Sequence, residues 1–375
     1  MASTPERLLV RGVNWLGDAV MSTPALLRLR EALPRAHIAL LTAAKLAPLW
    51  ERHPAVDQVI PFTDDDSVIG IARRLRAGSF DTALVLPNSP RSALEVFLAG
   101  IPQRVGCARP WRNLLLTHAI PARGDEVKMH KRSRREVEQL IREPKVPAPL
   151  SANAHHLHHY LHLAAALGAN RAPLPPLIAV LESEVDAVRA RFATDAMRGK
   201  PLLGLNAGAE YGPAKRWPRE RFIEAGLALQ QRVGCALWIL GGPADVALAR
   251  GIAKEIQAAS AADTVRCLAG ETSLRELCAA LKACDVVLTN DTGPMHVAAA
   301  VGTPVVVPFG STSPELTGPG LPGDARHQLV KSDAPCSPCF LRECPIDFRC
   351  MNGLAVSALV EATLAALAAR TKRTL

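Results

Sequence analysis

Two series of alternating strand and helix patterns run through this sequence, and they leave few folds open to it. The first series extends from RLLVRG (7–12) to FDTALVLPNS (80–89), and the second from PLLGLNAG (201–208) to PVVVPFG (304–310). Short apolar strands that alternate with amphipathic helices indicate βαβ units, whose strands form a parallel sheet. A proline-rich stretch, NRAPLPPLIAVLESE (170–184), lacks this periodicity and separates the two series. The sequence therefore predicts an α/β protein with two Rossmann-like domains.

The domain boundary is predicted within that proline-rich stretch. The first domain covers residues 1–172 and the second covers residues 173–354. A chain of 375 residues suits two or three domains, and nearly half of its residues are apolar, which supplies a core for each domain. Open α/β sheets bind ligands at the carboxyl ends of their strands, so the functional residues are expected in the loops that follow the strands.

Charge and composition indicate the kind of partner. The net charge is +9, which favours an anionic partner such as phosphates, nucleic acid or an acidic membrane surface. Between residues 104 and 145, Lys and Arg exceed Asp and Glu by six, which indicates either a nucleic-acid patch or a solvated face. Neither a signal peptide nor a membrane-spanning run is apparent, so we expect a cytoplasmic protein whose nine cysteines are thiols or metal ligands.

The loop after the first strand has the spacing of a phosphate-binding loop but the wrong charge. Gly12 and Gly17 give G-x-x-x-x-G, yet the next two positions, normally Lys and Ser or Thr, hold Asp18 and Ala19. A carboxylate there can accept a proton from a hydroxyl nucleophile. The alternative is an ordinary first-turn acid that the helix dipole favours.

Two loops of the second half have features of an anion site. In NAGAEYGPAKRWP (206–218), backbone N–H groups and Lys215 predict a diphosphate cradle, although an ordinary βα loop is the alternative. In TNDTGPMHVAAAVGTP (289–304), Asp291 and Thr292 mark the change from strand to helix. The free N–H groups of that helix suit an anion or the hydroxyls of a sugar. A simple N-cap role for Asp291 remains open.

Four cysteines lie within fifteen residues near the carboxyl terminus. Cys336, Cys339, Cys344 and Cys350 have the spacing C-x2-C-x4-C-x5-C, which fits zinc or an iron–sulfur cluster about as well as free or redox-active thiols. With either alternative, this segment is expected to have a structural role and not to be the catalytic centre. A second metal candidate is the five-histidine stretch 155–169, for which a packed or surface helix is the favoured interpretation.

Five ordered blocks between residues 8 and 315 resemble a known family. They read NWLGDAVMSTPAL, LPNSPRSALEVFLAGIPQRVG, GAEYGPAKRWP, LAGETSL and NDTGPMHVAAAVGTPVVVPFGSTSPE. Together they resemble the ADP-heptose:lipopolysaccharide heptosyltransferases of glycosyltransferase family 9, and within that family most closely the heptosyltransferase II group.

The resemblance implies a GT-B architecture, in which two Rossmann-like domains face a central cleft. It implies that the first domain binds a Kdo- and heptose-bearing lipid A acceptor and that the second, including segment 336–350, binds ADP-heptose. Transfer to the first heptose of the inner core would be inverting. The C-terminal helix (355–372) would pack back on the first domain. A monomer, peripheral to the inner face of the cytoplasmic membrane and without nucleic acid, is expected. No cofactor is certain, and Mg²⁺ is possible.

The resemblance also assigns roles to residues. Asp18 becomes the general base. On the acceptor side it suggests Asn14, Asn88, Arg91 and Arg104. For the donor it suggests Gly208, Ala209, Lys215, Asp245, Gly270, Thr272, Asp291, Thr292, Gly293 and His296.

Four other functions are alternatives to this one. Within the family, the alternative is heptosyltransferase I or another transferase with a different acceptor. A sugar-nucleotide epimerase on the same scaffold would need further acids and histidines, which these loops lack. A nucleic-acid-binding protein would show steep salt dependence, but no recognised module is present. An oxidoreductase is disfavoured because neither half carries G-x-G-x-x-G.

Overall fold

Each half of the chain builds one six-stranded parallel sheet. The computed structural model describes residues 4–145 and 150–374, apart from the side chains of 262 and 371–374. The first sheet has the order β3-β2-β1-β4-β5-β6. Its strands are β1 (Arg7–Arg11), β2 (His37–Ala43), β3 (Gln58–Phe62), β4 (Thr82–Val85), β5 (Gln103–Cys107) and β6 (His118–Ile120).

The second sheet repeats this arrangement in the order β12-β11-β10-β7-β8-β9. Its strands are β7 (Leu202–Asn206), β8 (Ala236–Ile239), β9 (Val265–Cys267), β10 (Val286–Thr289), β11 (Val305–Phe309) and β12 (Gln328–Lys331). The central strands, such as β8, β10 and β11, are buried along their whole length. Their continuous apolar runs follow from the helices that cover both faces of a parallel sheet.

Thirteen helices connect or flank the strands of the described chain. They are α1 (Leu16–Ala32), α2 (Val68–Ala77), α3 (Pro90–Leu98), α4 (Arg134–Arg142), α5 (Leu157–Ala165), α6 (Glu182–Phe192), α7 (Arg219–Val233), α8 (Val246–Ala259), α9 (Leu274–Ala283), α10 (Gly293–Ala300), α11 (Pro314–Thr317), α12 (Arg349–Asn352) and α13 (Val356–Thr374). Within the residues described, none of these helices is long and apolar enough to cross a bilayer.

Serine side chains set the start of four helices. Ser67, Ser89, Ser133 and Ser273 each accept a backbone N–H from the first turn of α2, α3, α4 and α9. Such a bond satisfies one of the N–H groups that a helix start leaves without a partner. The local sequence thus determines where these helices begin.

The chain divides into two units that interleave in sequence. The first consists of Met1–Glu126 with Asn153–Ala179, and the second of Val127–Ala152 with Val180–Leu375. The predicted α/β class with two Rossmann-like domains is confirmed. The predicted boundary between residues 172 and 173 differs from this division in two respects: it places the basic segment 127–152 in the first domain and residues 173–179 in the second.

Segment 127–152 belongs to the second unit because of its one amphipathic helix. Val137 of α4 is buried against Cys336 and Cys339, and Ile141 packs beside it. The polar and charged side chains of α4 remain on its other faces. A short apolar stripe therefore places a strongly basic stretch on the second unit, which the charge pattern alone does not reveal.

The C-terminal helix α13 also packs on the second unit. Its Leu359, Val360 and Ala366 belong to the same buried cluster as Phe222 of α7 and Val306 of β11. The predicted placement of helix 355–372 on the first domain differs from this arrangement. The physical reason is that α13 covers apolar side chains of the second sheet, which would otherwise be exposed.

Candidate active site

In each unit, the candidate residues follow the strands on either side of a topological switch point. In the first sheet, β1 lies between β2, the next strand in the chain, and β4. In the second sheet, β7 likewise lies between β8, the next strand in the chain, and β10. At such a point the loops diverge and leave a crevice at the carboxyl edge of the sheet. The loop that carries Asp18 follows β1, and the loop that carries Lys215 follows β7.

Asp18 lies in the first turn of α1, where its side chain is 31% exposed. The residue before the helix, Trp15, provides no side-chain cap. Asp18 therefore combines two properties that the sequence left as alternatives. It is placed where the helix dipole favours a negative charge, and it remains accessible to a hydroxyl group.

Tyr160 of α5 donates a hydrogen bond to the Asp18 carboxylate. The Tyr160 side chain is only 2% exposed, and burial, followed by the nearby carboxylate, raises its pKa well above 10. The phenol therefore stays protonated and remains a donor. Sequence reasoning missed Tyr160, because the contact depends on the packing of α5 against α1.

His156 is the second unpredicted neighbour of Asp18. Its Nε2 lies 3.9 Å from Asp18 Oδ1. Its ring stacks on that of His159, with centroids 5.5 Å apart, and meets the Tyr160 ring edge-on at 5.1 Å. Burial, with a smaller contribution from nearby cations, lowers the pKa of His159 to about 3, so this ring is neutral. The histidine-rich stretch is thus a packed helix beside the candidate base, as the favoured interpretation predicts.

Asn14 and Arg91, two predicted acceptor-side residues, contact a buried ion pair. Arg11 Nε lies 2.9 Å from Glu95 Oε2, and both side chains are almost fully buried. Arg11 Nη1 donates to Asn14 Oδ1 at 2.9 Å, and Arg91 Nε lies 3.4 Å from Glu95 Oε1. Because a buried ion pair tolerates little displacement, these contacts hold the loop after β1 in place.

The structure separates the other two acceptor-side candidates. Asn88 is exposed just after β4, at the same edge of the sheet as Asn14. Arg104 lies near the amino end of β5, where its guanidinium donates to the carbonyl oxygens of Ile101 and Leu115 at 2.6 and 2.8 Å. Arg104 therefore does not join the Asp18 edge, and its donors fasten the chain around β5.

In the second unit, Lys215 and Asp291 form a direct ion pair. The Lys215 Nζ lies 2.7 Å from Asp291 Oδ2, which also accepts a 2.6 Å hydrogen bond from Thr312. Asp291 is 3% exposed and Lys215 is 15% exposed. The pair forms because β7 and β10 are neighbours in the sheet. A charged pair of this kind fixes the ammonium group at the carboxyl edge and leaves part of it accessible.

Asn290 holds the backbone of the cradle loop. Its Nδ2 donates to the carbonyl of Ala207 at 2.8 Å, and its Oδ1 accepts from the N–H of Trp217 at 3.0 Å. The two ends of the loop around Lys215 are thus bridged by one buried amide. This residue was missed because an Asn before Asp291 has no distinctive signal in the sequence.

The remaining donor candidates line the ends of β7, β8 and β9. Gly208 lies directly against the Asp245 carboxylate, which would have to move to admit a Cβ at this position. Asp245 accepts a 3.2 Å hydrogen bond from the Gly242 N–H. The buried Ala209 accepts from Arg216 at 3.3 Å through its carbonyl oxygen. Gly270 and Thr272 follow β9 in the next loop of the sheet.

No side chain caps the start of α10, where the sequence predicts free N–H groups; Pro294 has no N–H, and the Met295 N–H donates to the Thr292 carbonyl at 3.1 Å. Thr292 precedes the helix with an extended backbone and no side-chain cap bond, and Gly293 is its first residue. His296 is only 5% exposed within this helix, so its ring is largely enclosed by protein.

The four clustered cysteines lie around one small cavity together with Ser311. Burial raises the pKa of Cys336 and Cys339, and it raises that of Cys350 to about 12. Among the residues that the structure describes, no group of three or more His, Cys, Asp or Glu side chains is arranged to hold a metal ion. The zinc or iron–sulfur ligation by Cys336, Cys339, Cys344 and Cys350, which the sequence leaves open beside free or redox-active thiols, therefore has no support. The four thiols line the cavity, but no three of them are placed to share one ion.

Comparisons with known proteins identify the family of this chain. A family model described as glycosyltransferase family 9 (heptosyltransferase) matches residues 68–348. Lipopolysaccharide heptosyltransferase 2 of Escherichia coli is 33% identical over 349 residues, which cover 88% of this chain and 91% of that protein. The protein of the same name from Salmonella typhimurium is 33% identical over 326 residues, covering 84% and 85%. The solved structure of E. coli ADP-heptose lps heptosyltransferase II has a TM-score of 0.75 at 28% identity, covering 97% of this chain and 99% of that one.

Proposed function

This chain belongs to glycosyltransferase family 9, and on that premise we propose that it transfers heptose from ADP-heptose to the first heptose of a lipopolysaccharide inner core. The observation that carries the proposal is the pairing of opposite chemistries at equivalent switch points. A partly exposed carboxylate follows β1, and a positioned ammonium group follows β7. An inverting displacement needs a base at the acceptor and positive stabilisation of the leaving diphosphate.

In this mechanism Asp18 accepts the proton of the acceptor hydroxyl as its oxygen attacks the anomeric carbon of the heptose. The bond from that carbon to the diphosphate oxygen breaks, and ADP leaves with the electron pair. The hydrogen bond from Tyr160 restricts the Asp18 carboxylate to one orientation. No covalent intermediate forms, so the configuration at the anomeric carbon inverts.

On the donor side, Lys215 and the backbone N–H groups of its loop stabilise the charge that develops on the diphosphate. Asp291 and Thr312 position the Lys215 ammonium group rather than binding phosphate. Asp245 and the loop of Gly270 and Thr272 are assigned to the ribose and the adenine. The N–H groups at Thr292 and Gly293 are assigned to the diphosphate and the heptose hydroxyls. Mg²⁺ stays a prediction.

The preferred acceptor distinguishes this proposal from its alternative within the family. The relatives that are 33% identical carry the name heptosyltransferase 2, which supports addition to a mono-heptosylated acceptor. The test is a transfer assay with ADP-heptose and two Kdo-lipid acceptors, with and without the first heptose. Transfer to the mono-heptosylated acceptor alone supports the proposal. Transfer to the unheptosylated acceptor alone indicates heptosyltransferase I chemistry, and transfer to neither refutes both.

A cytoplasmic location peripheral to the membrane is part of the same proposal. Trp111 and Leu114 of one turn are 86% and 82% exposed, and the chain has a net charge of +9. An exposed indole on a chain of positive net charge suits the interface of an anionic bilayer. Sedimentation with anionic vesicles should fall for Trp111→Ser and stay unchanged for Ile69→Ser, an exposed apolar residue of α2. Equal sedimentation of both variants would contradict this role.

A further inference from the structure

Three cationic groups surround one aromatic ring at the edge of the donor-side loop. Lys215 Nζ lies 5.3 Å from the centroid of the Tyr211 ring, Lys131 Nζ lies 5.7 Å from it, and Arg342 Cζ also lies 5.7 Å from it. Each distance is within the range of an attractive cation–π contact. The three cations come from three separate segments of the second unit, so the cluster is a product of its fold.

The charge of this cluster is only partly balanced by the protein. Asp291 pairs with Lys215, but no ion pair to a carboxylate involves Lys131 or Arg342 within the described residues. Both of these side chains are exposed. Like charges held near one another repel, and the repulsion is relieved when an anion binds between them. The cluster therefore has the electrostatic character of an anion-binding surface.

The cysteine-rich segment fixes the Arg342 side of this surface. Tyr211 donates its hydroxyl hydrogen to the carbonyl of Phe340 at 3.0 Å, and Arg342 Nε donates to the carbonyl of Tyr211 at 2.7 Å. The Ala214 N–H donates to the carbonyl of Arg342 at 2.9 Å. A Cβ at Gly212 would lie 2.5 Å from that carbonyl oxygen, so glycine is needed for this approach.

The same segment also holds the stretch that carries Lys131. The backbone N–H of Arg132 donates to the carbonyl of Cys339 at 3.0 Å, and Arg132 Nη1 donates to that of Cys336 at 2.9 Å. Val137 is buried against both cysteines. The backbone of the cysteine-rich segment thus supports both stretches from which exposed cations reach the Tyr211 ring.

We propose that Lys131 and Arg342 bind phosphate groups of an anionic substrate beside Lys215, and that the cysteine-rich segment is a wall of this site. The substrate's identity rests on the proposed function. Two sources share this chemistry: the diphosphate of the nucleotide donor and a phosphate on the lipopolysaccharide acceptor. A single set of variants distinguishes them.

The experiment compares Arg342→Gln, Lys131→Gln and Arg342→Lys with a matched control, Arg198→Gln. Arg198 is an exposed arginine of the same unit that precedes the amino end of β7, whereas Tyr211 follows the carboxyl end of that strand. Calorimetry measures the affinity for ADP. Transfer kinetics measure KM for a phosphorylated acceptor and for the same acceptor after phosphatase treatment.

A donor site predicts about tenfold weaker ADP binding for each Gln variant, as expected for loss of one charge-assisted bond. An acceptor site predicts unchanged ADP binding and about a tenfold higher KM for the phosphorylated acceptor only. Arg342→Lys keeps the charge and should retain most of the affinity, whereas the control should match the wild type. If Arg342→Gln fails to fold, Lys131→Gln alone distinguishes a donor site from an acceptor site.

Two results would overturn the inference: no effect of either Gln variant in either arm, or an Arg342→Lys variant as weak as Arg342→Gln. The second result would show that Arg342 acts only through its hydrogen bond to Tyr211. A wild type that transfers no heptose would refute the proposed function instead, and the ADP arm would still test the cations.

Discussion

The loops after β1 and β7 occupy equivalent positions in two similar sheets, yet they carry opposite charges. The first presents Asp18, supported by a phenol, and the second presents Lys215, supported by a carboxylate. Both loops lie at a topological switch point, where the crevice at the edge of the sheet can admit a ligand. The fold thus determines where a site can form, whereas one side chain in each loop determines the chemistry for which that site is suited.

The contrast between the two loops depends most strongly on the role of Asp18 as a base. Asp18→Asn should lower kcat by about 10²- to 10⁴-fold, the usual contribution of a general base, and should leave ADP affinity unchanged. Glu31→Gln, an exposed acid of the same helix, is the control and should keep full turnover. Rate measurements with calorimetry test this directly; an equal loss of ADP binding and of turnover would exclude the assignment.

In the second unit, the substitution that corresponds to Asp18→Asn is Lys215→Ala. It should weaken ADP binding by about ten- to a hundredfold, because a charged donor is lost and Asp291 is left buried without its partner. Lys254→Ala, an exposed lysine of α8, is the control and should bind ADP normally. Calorimetry with ADP measures both. Undiminished affinity in Lys215→Ala would place the diphosphate elsewhere.

Tyr160→Phe tests whether the hydrogen bond from Tyr160 to Asp18 contributes to turnover in addition to the charge of Asp18. Removal of the hydroxyl should lower kcat about tenfold, since one hydrogen bond to a charged group contributes roughly 1.5 kcal/mol or more. KM for ADP-heptose should stay the same, because Tyr160 belongs to the first unit. Steady-state kinetics separate the two constants. A change in KM for the donor without a change in kcat would argue against a positioning role.

The smallest expected effect concerns acid stability, in which the two units should behave alike. Each contains buried histidines whose pKa burial lowers: His53 to about 4 and His159 to about 3 in the first unit, and His327 to about 4 in the second. The unfolded chain binds these protons near pH 6.5, so the free energy of unfolding should fall as the pH drops from about 6.5 to 4. Urea titrations at several pH values should show this. His159→Gln should reduce the pH dependence, and an unaltered slope would refute the assignment.

The strand–helix alternation and the identity of the loops were predictable from the sequence, because both depend on local patterns. Apolar strands followed by Gly, Asp and Lys in turns indicate site loops without knowledge of the tertiary contacts. Asp18 and Lys215 are singled out in this way. By contrast, Tyr160, Thr312 and Asn290 have no local signal, and each acts through a residue far away in the chain.

The two segments whose placement differs from the prediction show the same limit. Segment 127–152 belongs to the basic run of the sequence, and the resemblance places the helix after residue 355 on the first domain. The sequence by itself determined the basic charge of the first stretch and the formation of two parallel sheets. Only the tertiary structure decided which unit each stretch covers, because a hydrophobic face requires burial but does not specify against what. Burial of apolar side chains against the cysteine-rich segment likewise accompanies the approach of Lys131 and Arg342 to the Tyr211 ring.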